Sequence, residues 1–298
     1  MANSSGWGDG AANNTVGWGQ GANNAIGWGD SHSKSWAGAT NIAGLTTDAD
    51  AQAFIAAAVI TKPSEQVAID NLVLGMKADG IWTKMKAIYP FVGGTASTHK
   101  FNLKDPVDSD AAFRLVFNGG WTHSVNGATP NGTNGYADTK FIPSSNYSAN
   151  NSSFGVYSRI NNVNSGTFIG TSNASTTSRI LMFVGITVGG ASQINHNSSI
   201  PTNPILTNSS GLYTNSRNTS NQQKLFYNGS LNTTTVNLEQ NLSTLPIYLS
   251  AYNNNSTISD YSNRQIAFAH LSDGLTDAEA ANLYTRVQAF QTALSRQV

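Results

Sequence analysis

Cysteine is absent from the 298-residue chain. Disulfides and thiolate metal centres are thereby excluded, and stability has to come from packing and association. Charge is scarce as well. Asp, Glu, Lys and Arg make up 11% of residues, with 16 basic against 16 acidic, so no net field gathers phosphates or anionic lipid. Nucleic acid and membrane surfaces are accordingly not expected as partners. No apolar run reaches the roughly 18 residues a spanning helix needs. Met1 to Gly10 has neither a cationic start nor an apolar stretch, which predicts synthesis in a cytoplasm without Sec export.

What the chain does have is asparagine, 35 of them, with abundant Ser, Thr and Gly. That composition suits turns and hydrogen-bonded loops, so the chain reads as mainly β. Asn-x-Ser/Thr triplets such as Asn173-Ala-Ser are the chance product of this composition and are not read as glycosylation sites.

Three segments follow from the patterning: a repeat segment over 1–44, a small helical region over 45–92 and a β-sandwich over 93–298. In the first, Gly-Trp-Gly recurs at 6–8, 17–19 and 27–29, with Ala-Asn-Asn at 12–14 and 22–24. Trp7, Trp18, Trp28 and Trp36 have almost no apolar neighbours to pack against. Such indoles are expected to be covered by other chains, which makes them the expected anchoring or oligomer contacts. A flexible Gly-rich linker is the competing reading.

The helical region is predicted to start at a Thr47 N-cap with Asp48 and Asp50 in the first turn, and to continue after Pro63 in a second helix ending at Gly80. A third turn is expected over Trp82–Ile88. Met76, Trp82 and Met85 at helical spacing read as core rather than as a cofactor box. Beyond Gly93, short runs bounded by turn signals predict a dozen strands, among them Lys100–Leu103, Phe113–Phe117, Thr139–Ile142, Phe154–Arg159, Arg179–Val188 with a bulge at Gly185, Gly211–Arg217, Thr233–Leu238, Ile247–Tyr252 and Gln265–His270. Asn228-Gly229 signals a type I′ hairpin. The Asn-Gly pairs at 118, 126, 131 and 134 crowd what reads as one long loop. Thr276 and Glu279 form a capping box for a closing helix whose Leu283, Val287, Phe290 and Leu294 face the sheet.

At these residues a resemblance appears. Lys-Leu-Phe-Tyr-Asn-Gly (224–229), the strand near Ile247–Tyr252, Arg264–Leu271 and Gly-Leu-Thr-Asp-Ala-Glu (274–279) resemble the second half of laminin-G-like, concanavalin-A-like jelly rolls. The block running from Gly80-Ile-Trp-Thr-Lys-Met-Lys to Val92-Gly-Gly-Thr-Ala and on through His99-Lys-Phe-Asn-Leu-Lys-Asp-Pro, together with the Gly-Trp-Gly repeats, is similar to structural proteins of phages and prophages of Bacteroidetes-type bacteria. That resemblance implies a virion protein, a spike, head fibre or tail component, and carries no catalytic residues onto this chain. Homo-oligomerisation, as a trimer by analogy with fibres and spikes, is implied in the same way.

Chemistry-bearing constellations are few. The five histidines, His32, His99, His123, His196 and His270, show no metal spacing, and there is no Gly-x-Ser-x-Gly or Walker-type loop. Asp105, Asp108, Asp110 and Asp138 match a glycosidase pair by residue type alone. Cofactors are not expected. Calcium is the metal the fold would suggest, through Asp138, Asn134 and Asn146, without an EF-type pattern behind it. Sugar recognition has better grounds, since an aromatic face with neighbouring amides matches a sugar ring. Trp121, His123 and Asn126 form one such group, Tyr252 and Asn253 another; half-buried sandwich residues and an ordinary turn are the competing reading.

The sequence therefore predicts a non-enzymatic virion protein, anchored by its repeats to other virion proteins, whose sandwich touches bacterial surface polysaccharide. A prophage-encoded carbohydrate-binding adhesin outside the virion and a glycan hydrolase are the rivals.

Overall fold

In the computed structural model, residues 48–162, 166–173, 178–183, 191–196, 208–236 and 241–298 are described, with backbone alone for 191–196. Trp7, Trp18, Trp28, Trp36, Thr47 and Gly185 lie outside them. Helix α1 (Ala49–Ala57) is capped by Asp48, whose carboxylate accepts the Asp50 N–H at 2.9 Å. Lys77 bridges Asp48 and Asp50 at 2.7 and 2.6 Å. Helix α2 (Pro63–Ala78) has Pro63 in its first turn, where a missing N–H costs nothing. It ends as expected at Gly80: the Gly80 N–H reaches Lys77 O, the Ile81 N–H reaches Met76 O, and Gly80 has φ +72°.

The same closing motif ends α1, but with Val59 at the left-handed position, φ +54° and 71% exposed. A β-branched side chain there is strained by about 1–2 kcal/mol. Val59→Gly is therefore expected to raise stability by about 0.5–1 kcal/mol in urea unfolding, the remainder being offset by the freer unfolded chain; a loss of stability would contradict the strain.

The expected third helical turn is corrected. Trp82–Lys84 is a 3₁₀ turn and Met85–Tyr89 is strand β1, antiparallel to β16 (Ile266–Ser272) with Ile88 opposite His270. Trp82, Met85 and Ile88 fit a helical period, yet pairing buries both faces of the strand: Met85 and Ile88 face the helices, Ala87 and Tyr89 the opposite core.

The remaining strands are β2 (Val116–Asn118), β3 (Trp121–Ser124), β4 (Gly127–Pro130), β5 (Tyr136–Asp138), β6 (Ser152–Ser158), β7 (Thr167–Ser172), β8 (Arg179–Phe183), β9 (Ala191–His196), β10 (Gly211–Arg217), β11 (Gln222–Tyr227), β12 (Ser230–Val236), β13 (Tyr248–Leu249), β14 (Tyr252–Asn254) and β15 (Thr257–Ser259). Single-turn helices occupy Ala96–His99 and Pro143–Asn146. The first sheet runs β12-β11-β10-β6-β16-β4-β3, with β1 also on β16; the second runs β15-β14-β7-β13-β5-β2, with β8 on β7 and β9 on β8. The chain is mainly β, a two-sheet sandwich with a helix layer on the outer face of the first sheet.

Alternation along the strands divides the core. Phe154, Val156, Tyr213, Ala269 and Leu271 meet Phe168, Ile180, Met182 and Leu249 between the sheets. Tyr157, Leu212 and Phe268 point the other way, to Phe54, Ile69, Val73 and Met76 of α1 and α2 and to Leu283, Val287 and Phe290 of α3 (Asp277–Ala293). Both faces of the first sheet are thus covered, which is why β6, β10 and β16 are buried throughout. The Thr276–Glu279 capping box of α3 is present, and the Asn228-Gly229 turn has φ +48° and +74°.

Several strand expectations need correction. Lys100–Leu103 forms only an isolated bridge, Asn102 to Asp105. Thr139–Ile142 is not a strand, because Lys140 at φ +60° bulges between Thr139 and Phe141, which still bond to Ile247. Ile247–Tyr252 breaks at Ser250 (φ +66°) into β13 and β14. The expected long loop holds the β3–β4 hairpin, Trp121 opposite Pro130 and Ser124 opposite Gly127. The C-terminal part of the strand expected over Arg179–Val188 and the end of the one expected over Thr233–Leu238 lie outside the described residues.

Candidate functional site

The chain crosses from the second sheet to the first between β2 and β3, the edge strands of the two sheets. The crossing is tight. Gly119 has φ +70°, and a Cβ on it would lie 2.0 Å from Asn134 O. Asparagine amides hold the neighbouring loop: Asn131 Oδ1 accepts from Thr133, Asn134 and Gly135, and Asn134 Oδ1 accepts the Gly120 N–H and the Asn131 amide. The Asn-Gly pairs that read as a loop signal thus build a rigid corner.

On that corner stand Phe117, Trp121 and His123. Phe117 meets Trp121 edge-on at 5.2 Å and His123 edge-on at 4.6 Å, and Trp121 lies over His123 at 6.0 Å. The Trp121 Nε1–H donates to Asn118 O at 3.0 Å and, more weakly, to Tyr136 O at 3.3 Å. Its indole edge is fixed and the ring stays half-buried. Asn126 is exposed in the turn beyond His123, its backbone N–H on Ser124 Oγ.

Behind this wall, His123 Nδ1 lies 2.9 Å from Nδ1 of buried His99, and His99 stands edge-on to Phe91. Burial pushes His99 down to about 3, with His123 and Arg296 adding to the effect, and burial lowers His123 too. Both rings are neutral at pH 7, so one donates to the other and the pair fixes the orientation of His123.

Beside Phe117 a shallow depression of about 310 Å³ is lined by Ser97, Lys100, Arg114, Leu115 and Phe117. Its two cations are paired with carboxylates beside it: Asp108 binds Lys100 and Arg114, and Asp110 binds Arg114 at 2.9 Å. Hydrogen bonds from Lys100 and then Arg114 hold the Asp108 carboxyl below its usual range. That is the opposite of what a proton-donating glycosidase acid requires. Lys100, Arg114 and Phe117 carry no site signal in the sequence; the end of a single-turn helix, a loop and β2 bring them together only in space.

The second expected group is corrected. Tyr252 is 7% exposed, its ring against Gly170 and its hydroxyl on Ser172 Oγ at 2.7 Å; Asn253 is buried and donates to Pro246 O. Neither can stack on a sugar, because the Ser250 bend turns β14 in beside β7. The calcium set is not assembled either: Asn134 is committed to the corner, Asn146 Nδ2 bonds Ile142 O, and Asp138 takes the Lys140 N–H and ammonium. Among the described residues no group of three or more His, Cys, Asp or Glu is gathered as for a metal, and no helix is long and apolar enough to cross a membrane.

No protein-family model matches the chain, and no curated protein matches its sequence. Among solved structures it is similar to the sialidase CBM40 domain of Ruminococcus gnavus bound to α2,3-sialyllactose, at 13% identity over 44% of this chain and 80% of that one, TM-score 0.38. It is similar to domain 4 of an extracellular GH43 arabinanase from Geobacillus stearothermophilus in complex with arabinotriose, at 15% identity over 67% and 98%, TM-score 0.43. A heptameric SAP-like pentraxin of Limulus polyphemus shows 14% identity over 44% and 68%, TM-score 0.32.

Proposed function

We propose that the sandwich is a non-catalytic glycan-binding module of a protein displayed on a bacteriophage particle. The observation that carries the binding half is the partly buried wall of Phe117, Trp121 and His123, continuous with a depression that offers the Lys100 and Arg114 donors. An aromatic face beside fixed polar groups matches the amphipathic surface of a sugar ring, and the His99 and Asn118 contacts hold the rings in place before binding. Every carboxylate at the depression has a cationic partner, which favours binding over hydrolysis.

Isothermal titration with purified surface polysaccharide of the host bacterium tests this reading. Arg114→Ala is expected to weaken binding about tenfold, from one lost charge-assisted hydrogen bond. Equal affinity of variant and parent, or new reducing ends released from the polysaccharide, would defeat it. The virion half is supported by the Gly-Trp-Gly repeats, whose indoles have almost no apolar neighbours in sequence. Mass spectrometry of purified particles should find the full chain and miss one lacking residues 1–40; full incorporation of the truncated chain would count against an anchor there.

A further inference from the structure

We infer that the outer edge of β12 is an interface at which two copies of this chain join the first sheet into one continuous sheet across a two-fold axis. This goes beyond glycan binding and does not depend on it. Among the described residues β12 is the last strand of its sheet, bonded to β11 on one side and to no strand on the other. Unpaired edges invite another chain, and proteins blunt them with short strands, lysine, proline or bulges. Of the other strands with a ladder on one side only and described side chains, β2, β3 and β15 have three or four residues and β1 has five, nearly all buried. β12 has seven, Ser-Leu-Asn-Thr-Thr-Thr-Val, without a charge or a proline. Its one irregularity, opposite Leu225 and Phe226, sits near the N-terminal end and leaves Thr233–Val236 in regular register with Gln222–Leu225. Leu231 and Val236, toward the two ends of this strand, are 48% and 82% exposed.

The composition of the strand selects a second copy as the occupant. In an antiparallel self-pairing centred on Thr233 or Thr234, threonine faces threonine at the axis, flanked by uncharged Asn, Thr, Leu or Val. Such pairs stabilise a ladder, and like charges never meet. The formal net charge of zero adds no repulsion between copies. Pairing β12 with β2 or β15 of another copy would match three residues at most, and would propagate instead of closing.

Light scattering and hydrogen exchange of the full chain test the inference together. At about 100 µM the parent should scatter as twice the chain mass, and its β12 amides should gain protection as concentration rises. Thr234→Lys should raise the dissociation constant at least about tenfold and remove that gain, while β6 and β16 stay protected. Thr234→Val should keep both properties of the parent. A parent that remains monomeric at this concentration would overturn the inference. So would an oligomer that survives Thr234→Lys, or β12 amides whose exchange ignores concentration, a readout that stands even if the lysine variant fails to fold.

Discussion

Replacing Arg296 with alanine is expected to cost about 3–5 kcal/mol of folding stability, from several buried carbonyls that each lose a donor at about 1–3 kcal/mol. The guanidinium is fully buried just beyond α3. It donates to Gln291 Oε1 at 2.6 Å, Phe91 O at 2.7 Å, Pro90 O at 2.6 Å and Ala267 O at 2.9 Å, and it lies over the Phe290 ring. One side chain thus ties the end of α3 to the residues after β1 and to β16. Burial pushes its pKa down to about 9, with Glu65 acting in the opposite sense. The desolvation is offset by the carbonyl acceptors, and alanine would take the guanidinium donor from Pro90 O and Phe91 O inside the core, while Ala267 O keeps Gln291 Nε2 at 3.3 Å. Lysine should not rescue, because a single ammonium cannot span four acceptors. Urea unfolding reads the effect; a loss below about 1 kcal/mol would show that the helix layer does not depend on this latch.

Acid should unfold the protein through its buried histidines. His270 lies on the helix side of β16, with Nδ1 at 3.4 Å from Ser272 Oγ and Nε2 over Gly155, where a Cβ would approach to 2.5 Å. Burial pushes it from 6.5 down to about 3. Between those values the unfolded chain binds a proton that the folded chain refuses. Stability is therefore complete above about pH 6.5 and falls as pH drops through the window, by about 1.4 kcal/mol per unit for each such group. His270 alone accounts for about 4 kcal/mol by pH 3, and His99 acts in the same direction. His270→Gln should flatten the slope by about one proton's worth, whatever it does to stability at neutral pH. Unfolding free energies that do not change between pH 7 and pH 4.5 would contradict the neutral burial of these rings.

Local chemistry was the most legible part of the sequence. Pro63, Gly80, the Thr276–Glu279 box and Asn228-Gly229 each act within four or five residues, so pattern alone located them. Asp48 takes the capping role expected of Thr47, one residue away. The errors fall where distant partners decide. Met85–Tyr89 carries a helical spacing but pairs with β16. Ser250 and Lys140 adopt positive φ without being glycine, and each breaks or bulges a strand the pattern would run straight. At the candidate site, Trp121 and His123 were legible as an aromatic pair close in sequence. Their partners Phe117, His99, Lys100 and Arg114 come from β2, a single-turn helix and a loop, and only the crossing between the sheets gathers them. Tyr252 and Asn253 likewise put an aromatic ring beside a polar group, yet they turn inward, because the sequence does not state which face of a two-residue-period strand is covered when both are.

Nuclear magnetic resonance mapping of polysaccharide on the isotopically labelled chain tests the central claim most directly. Binding at the β2–β3 corner predicts shifts at the Trp121 indole Nε1–H, at His123 and at the Arg114 guanidinium, with Tyr252 and Asn253 unmoved. A saturable shift elsewhere with these signals unchanged, or none at all with host polysaccharide in excess, would contradict it.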